Sequence, residues 1–269
     1  RKSSEEGGTN RMVTEEKKEG QTGEAEHRQE MQRISIPPGI SSAAAAFSMF
    51  LVIIAMLLTS FQAAIYGDAG YGFYEKEYAR YHVTDSLGMK MEDVMDVTEY
   101  MMDYLIGKEE ELSIVTDVDG KRQDFFNEQD RLHMADVRNL FLGGLRIRNI
   151  CAAAAILLLL GLKLGKADLK RMIPRSYFRA VLIFTGLLLF LGLACTVDFT
   201  ACFTLFHKIF FTNDLWMFDP ASDYMIRMLP EGFFSDMALR IAGTFIGMLA
   251  VLGIVLAIWK VRRRPPAKE

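Results

Sequence analysis

Two histidines sit where an imidazole could move a proton. His133 lies in NEQDRLHMADVRNLF, residues 127–141. At helical spacing Asp130 and Asp136 fall about 60° to either side of it, on one face. Either carboxylate could bond one ring nitrogen and leave the other to accept a proton, and a group that titrates near neutrality suits general acid–base work. His207 lies in FTLFHKIFFTNDLWMFDP, residues 203–220, among six aromatic residues. Phe206, Phe210, Phe211 and Trp216 are candidate pocket walls, and Asn213, Asp214, Asp219 and Asp223 could orient His207 or bind an amine. A second ring-rich stretch, Tyr66 to Tyr81, offers Tyr66, Tyr71, Phe73, Tyr74 and Tyr78 as further walls. The competing reading is plain: aromatic residues gather at membrane interfaces, and a helical histidine can be an ordinary surface or core residue.

Other chemistries find little support. No G-x-S-x-G, no phosphate-binding glycine loop and no H-E-x-x-H occurs. Aspartates precede Gly120, but Val115 stands where a calcium loop needs an oxygen ligand. No metal and no cofactor is expected. His82 reads as a surface residue, and the three cysteines, Cys151, Cys195 and Cys202, read as small apolar residues, with a Cys195–Cys202 bridge left open. The net charge is −3, and no basic surface points to nucleic acid.

The elements that must hold these residues are set by four apolar runs: 40–66, 140–163, 178–199 and 238–260. About 20 helical residues cross the hydrocarbon core, so each reads as a transmembrane helix. The second contains Arg146 and Arg148, which can snorkel toward a helix end. Lys and Arg crowd the 164–177 loop and the 261–269 tail, so both are placed in the cytoplasm by the positive-inside rule. The acidic segments 67–139 and 200–237 then face outward as a cap and a shorter loop that completes the site. Residues 1–39 are charged and poor in large apolar groups, and read as a disordered cytoplasmic tail, so both termini lie inside. The fold class expected is a polytopic α-helical membrane protein, four transmembrane helices with a small extracellular α+β cap.

Within the cap, Val94, Met95, Met101, Met102 and Leu105 share one face of a helix that Gly107 stops. Asp119-Gly120 between two strand-like runs predicts a hairpin. Asn127 predicts a cap for a helix that runs on into the second span, with Gly143-Gly144 as a place to bend. Counting along straight helices puts His133 roughly 15 Å and His207 roughly 12 Å beyond the hydrocarbon edge.

The segments FFNEQDRLHMADVRNLF and FHKIFFTNDLWMFDPASDYMIRMLPEGFFSD, with four spans and a large first outer loop, resemble the lipoprotein intramolecular transacylase (Lit) family over roughly residues 45–260. The resemblance implies an enzyme of the bacterial plasma membrane. It would move the sn-2 acyl chain of an S-diacylglyceryl group to the α-amino group of a lipoprotein's N-terminal cysteine, leaving the lyso form. It implies His133 and His207 as the catalytic pair, with diacylglyceryl-modified lipoproteins and membrane lipid as partners. Two other readings compete: a non-enzymatic scaffold that grips lipid or a partner through the cap, and a His/Asp intramembrane hydrolase.

Overall fold

The computed structural model describes residues 37–261. Four long helices form the frame: α1 (Pro38–Tyr66), α5 (Glu128–Leu164), α6 (Leu169–Val197) and α9 (Glu231–Val261). Each is long and apolar enough to cross a membrane. Between them come α2 (Gly72–Arg80), α3 (Val83–Leu87), α4 (Met91–Leu105), strands β1 (Val115–Val118) and β2 (Lys121–Asp124), α7 (Phe199–Phe210) and α8 (Tyr224–Met228). The chain is thus a helical membrane protein with one small sheet.

α1 is the central post, packing on α5, α6 and α9. Its buried face carries Ser41, Ala45, Ser48, Ser60 and Ala64, small residues that let neighbouring backbones come close where lipid offers no hydrophobic drive. The Ser48 and Ser60 hydroxyls donate to their own helix, to the Ala45 and Leu57 carbonyls, so burying them strands no polar group. Met49 and Ile53 of α1 meet Tyr177 and Phe184 of α6 and Phe245 and Leu249 of α9 in the span core.

The cap has its own core. Tyr74 and Tyr78 of α2, Val94, Val97 and Met101 of α4, Phe125, Phe126, Met228 of α8 and Phe233 of α9 are all buried there. The α4 face expected from the sequence is the one that packs: Val94, Met101, Met102 and Leu105 are buried and Met95 lies against them. The chain leaves α4 through Gly107 at φ +84°, a left-handed conformation that glycine adopts without strain. In the hairpin, Val118 pairs with Lys121 across Asp119-Gly120, both at positive φ, as a two-residue turn that matches strand twist requires.

α5 starts in the cap and its helix is unbroken through Gly143-Gly144. The start is fixed by reciprocal capping: the Asn127 side chain accepts the Asp130 N–H, and Asp130 accepts the Asn127 N–H, both at 2.9 Å. α6 begins at Leu169, with Asp168 accepting the Arg171 N–H, so most of the 164–177 stretch is helical and only Gly165–Asp168 turns. α6 stops at Asp198, which is extended (φ −154°, ψ 93°) and caps α7 by accepting the Ala201 N–H. This one-residue break redirects the chain. Near its start α7 touches α9, through Thr200–Glu231 and Phe203–Phe234, and further along His207 meets α5. α7 therefore lies across the cap-side end of the bundle, and the straight-helix height reckoned for His207 does not apply.

Candidate active site

The break at Asp198 and the long α5 bring the two histidines together. Their ring centroids are 6.1 Å apart with planes 30° apart, and the residues are only 6 % and 8 % exposed. Phe211 bridges them, 5.2 Å from His133 and 5.6 Å from His207. Trp216 stacks on His207 at 5.0 Å, Phe206 meets it edge-on at 5.4 Å, and Phe218 meets His133 edge-on at 5.3 Å.

The ring of His207 is oriented by its own helix. Its Nδ1 lies 2.8 Å from the Phe203 carbonyl, one turn back. A carbonyl oxygen only accepts, so Nδ1 carries the proton and the neutral ring has its lone pair on Nε2. The Phe203 ring packs beside it, centroids 4.2 Å apart. His133 Nδ1 is buried with no hydrogen-bond partner among the described residues.

Both imidazoles lie outside the 140–163 and 178–199 stretches, and both ionise below the ordinary imidazole value. Burial, then the proximity of His207, pushes His133 down to about 4, with Asp136 opposing. Burial also lowers His207, against the stabilising bond to Phe203. Asp130 is fully buried, and burial pushes its carboxyl up to about 6; the Asn127 N–H opposes this and the charge of Asp223 adds to it.

A strap closes the site. Residues 211–223 follow α7 and are tied to α5 at three places. Asn213 donates to Asp136 at 2.9 Å, Gln129 to the Leu215 and Met217 carbonyls at 3.0 and 3.1 Å, and Asn127 to Asp223 at 2.6 Å. Asp223 in turn accepts the Asp219 N–H.

The expected site residues therefore divide. His133, His207, Phe206, Phe211 and Trp216 are gathered, and Asn213 and Asp136 bond each other at the rim. Asp130 and Asp136 do not bond His133 as expected: Asp130 is committed to the cap of α5 and Asp136 to Asn213. Phe210 is half exposed and meets Phe206, not a histidine. The Asp214 side chain is at the surface, and the Asp214 carbonyl accepts the Met217 N–H. Tyr74, Tyr78 and Phe73 pack with Phe233 in the cap core, Tyr71 stands edge-on to Tyr74, and Tyr66 donates to the Met102 carbonyl and packs on Phe141. None of these five is a ring contact of either histidine among the described residues. Sequence reasoning missed Phe203, Phe218 and Gln129. Phe203 was legible as the residue one turn before His207; nothing local marks the other two.

The chain matches the family model of Lit, lipoprotein intramolecular transacylase, over residues 46–234. Among solved structures it is similar to the membrane-integral lipoprotein intramolecular transacylase Lit from Bacillus cereus, at 21% identity over 84% of this chain and 98% of that one, with a TM-score of 0.68. It is likewise similar to two variants of that protein with one histidine replaced. The alanine variant is 21% identical, over 89% and 98% of the two chains, with a TM-score of 0.62. The arginine variant is 20% identical, over 91% and 100%, with a TM-score of 0.60. None of the curated proteins matches.

Proposed function

The chain belongs to the Lit family of lipoprotein intramolecular transacylases, which makes it a membrane acyltransferase acting on lipoproteins, and from that premise we propose the particular reaction and its machinery. The enzyme moves the sn-2 acyl chain of an S-diacylglyceryl group to the α-amino group of the same lipoprotein's N-terminal cysteine. The cap faces outward from the bacterial plasma membrane and both termini are cytoplasmic. The observation that carries this reading is the buried pair His133–His207, with rings 6.1 Å apart and the Nδ1 of His207 bonded to Phe203, which leaves the lone pair on Nε2.

His207 is the base. An α-ammonium ionises near ~7.7–8 and enters as the amine at neutral pH with little penalty. As the amine nitrogen attacks the ester carbonyl, Nε2 takes its proton; the amide C–N bond forms, the bond from carbonyl carbon to sn-2 oxygen breaks, and the proton passes to that oxygen as the lyso hydroxyl. Atoms balance without a covalent enzyme intermediate or added water. His133, kept neutral by burial, offers an N–H to the oxyanion between the rings of Phe211 and Phe218. The attack is intramolecular but closes a ring in a flexible lipid, so holding amine and ester beside the pair supplies the orientation. Asn127, Gln129 and Asp136 hold the strap beside the histidine pair and act through position.

Mass spectrometry of a lipoprotein N-terminal peptide, with and without this protein, tests the reading. The expected product is the N-acyl, S-monoacylglyceryl form, and His133→Ala or His207→Ala lowers its yield by about 10²–10⁴-fold while the protein remains folded. Full conversion by both variants rejects the pair. Release of free fatty acid without N-acylation identifies a hydrolase instead.

A further inference from the structure

One face of α7, running from the side opposite His207 round to Phe206 and Phe210, is apolar and exposed. Leu205 is 59 % exposed, Ile209 66 % and Phe210 50 %, with Phe206 beside them. Leu205/Ile209 and Phe206/Phe210 are each one turn apart, so together they form a continuous strip. Its neighbours identify what covers it. The strip continues the exposed apolar surface at the end of α6, where Leu189, Phe190, Leu193 and Val197 face out of a helix long enough to cross a membrane. α7 lies across the bundle, with its start against α9 and His207 against α5, so its long side meets the surface the bundle emerges from. On its flank Lys208 is exposed and forms no ion pair among the described residues, a cation placed to meet phosphate at the rim of an apolar strip.

We propose that α7 is an interfacial helix whose Leu205–Phe206–Ile209–Phe210 face is sunk into the cap-side phospholipid leaflet, at the boundary between headgroups and acyl chains. Phe206 lies between His207 and the lipid, its ring edge-on to His207 at 5.4 Å, so the histidine sits one side chain behind the lipid-facing strip. The histidine pair then lies close to the depth of the glycerol esters of a lipid. An ester substrate enters sideways from the leaflet and needs no extraction into water; this last consequence rests on the acyl-transfer reading, whereas the seating of α7 does not.

Depth-dependent fluorescence quenching tests it on the full chain, reconstituted without substrate in phosphatidylcholine–phosphatidylglycerol vesicles. Phe210→Trp and Ile209→Trp are each made in a Trp216→Phe, Trp259→Phe background, so that one indole reports. Val115→Trp in the same background reports from the hairpin of the cap. Lipids brominated near the glycerol end of their chains are expected to quench both α7 reporters at least about twofold more than the hairpin reporter, and more than lipids brominated near the chain ends do. Equal quenching at α7 and the hairpin overturns the proposal. Leu205→Trp in the same background gives a third reporter on the strip; quenching above the hairpin value by the shallow probe supports the seating, and quenching at the hairpin value rejects it. Because no substrate is present, a failure here leaves the acyl-transfer reading standing, and a failure of acyl transfer leaves this result standing.

Discussion

At the scale of single residues, the site works through what is withheld from its side chains. His207 has one nitrogen spent on the Phe203 carbonyl, and the other is left for chemistry. His133 Nδ1 has no hydrogen-bond partner among the described residues, and burial with the nearby His207 outweighs the opposing charge of Asp136. The sign of the pH dependence follows. Both imidazoles ionise below their ordinary value, so lowering pH from 8 to 6 protonates the substrate amine, near ~7.7–8, before it protonates either histidine. The conversion rate should therefore rise with pH along the amine's titration, with any second acid limb below the ordinary imidazole range. A pH–rate profile whose rising limb shifts with a substrate of altered amine basicity bears this out; a limb fixed near 6.5 for all substrates speaks against it.

At the scale of elements, the start of α5 and the start of α9 carry most of the positioning. Asn127 caps α5 and also reaches Asp223, so Asn127→Ala should cost about 0.5–2 kcal/mol from the cap alone. It should also loosen the strap, which a lowered melting temperature together with a raised KM would register. Gly232 lies under Tyr81, whose ring carbons stand 2.4–2.5 Å from where a β-carbon would sit. Tyr81 is held there by donating its hydroxyl to Asp236 at 2.6 Å, beside Arg80 on the same carboxylate. Gly232→Ala should push the end of α2 off α9 at a cost of about 1–3 kcal/mol, measured as a fall in thermal stability. At this scale the sequence was read well where signals are local. The capping residue Asn127, the Asp119-Gly120 turn and the apolar face of α4 all follow from spacing and side-chain type. It was read poorly where a side chain has a competing use: Asp130 was legible as a neighbour of His133 on the helix face, but its Oδ2 accepts the Asn127 N–H at the helix start.

At the scale of the whole molecule, the cap is joined to the span by a seam of rings. Phe233, in the first turn of α9, stacks on Tyr78 and packs on Tyr74 and Phe73, which places the tyrosine-rich stretch in structure and away from the histidines. Phe233→Ala should cost about 3–5 kcal/mol and lower the melting temperature, whereas Phe218→Ala, at the site, should weaken conversion with a smaller loss of stability. A larger stability loss at Phe218 than at Phe233 would contradict this division of labour.

Hydropathy and charge fixed four spans, a cap and the crowding of histidines with rings, because those depend on composition along one stretch of chain. Which rings reach the histidines depends on where separate stretches meet, and that was decided by two tertiary events. The extended Asp198 lays α7 across the bundle, and α9 takes Tyr74 and Tyr78 into the cap core. A residue's neighbours along the chain are set by its own helix, but its neighbours across the fold are chosen by competition among all buried faces, and no local spacing records the outcome.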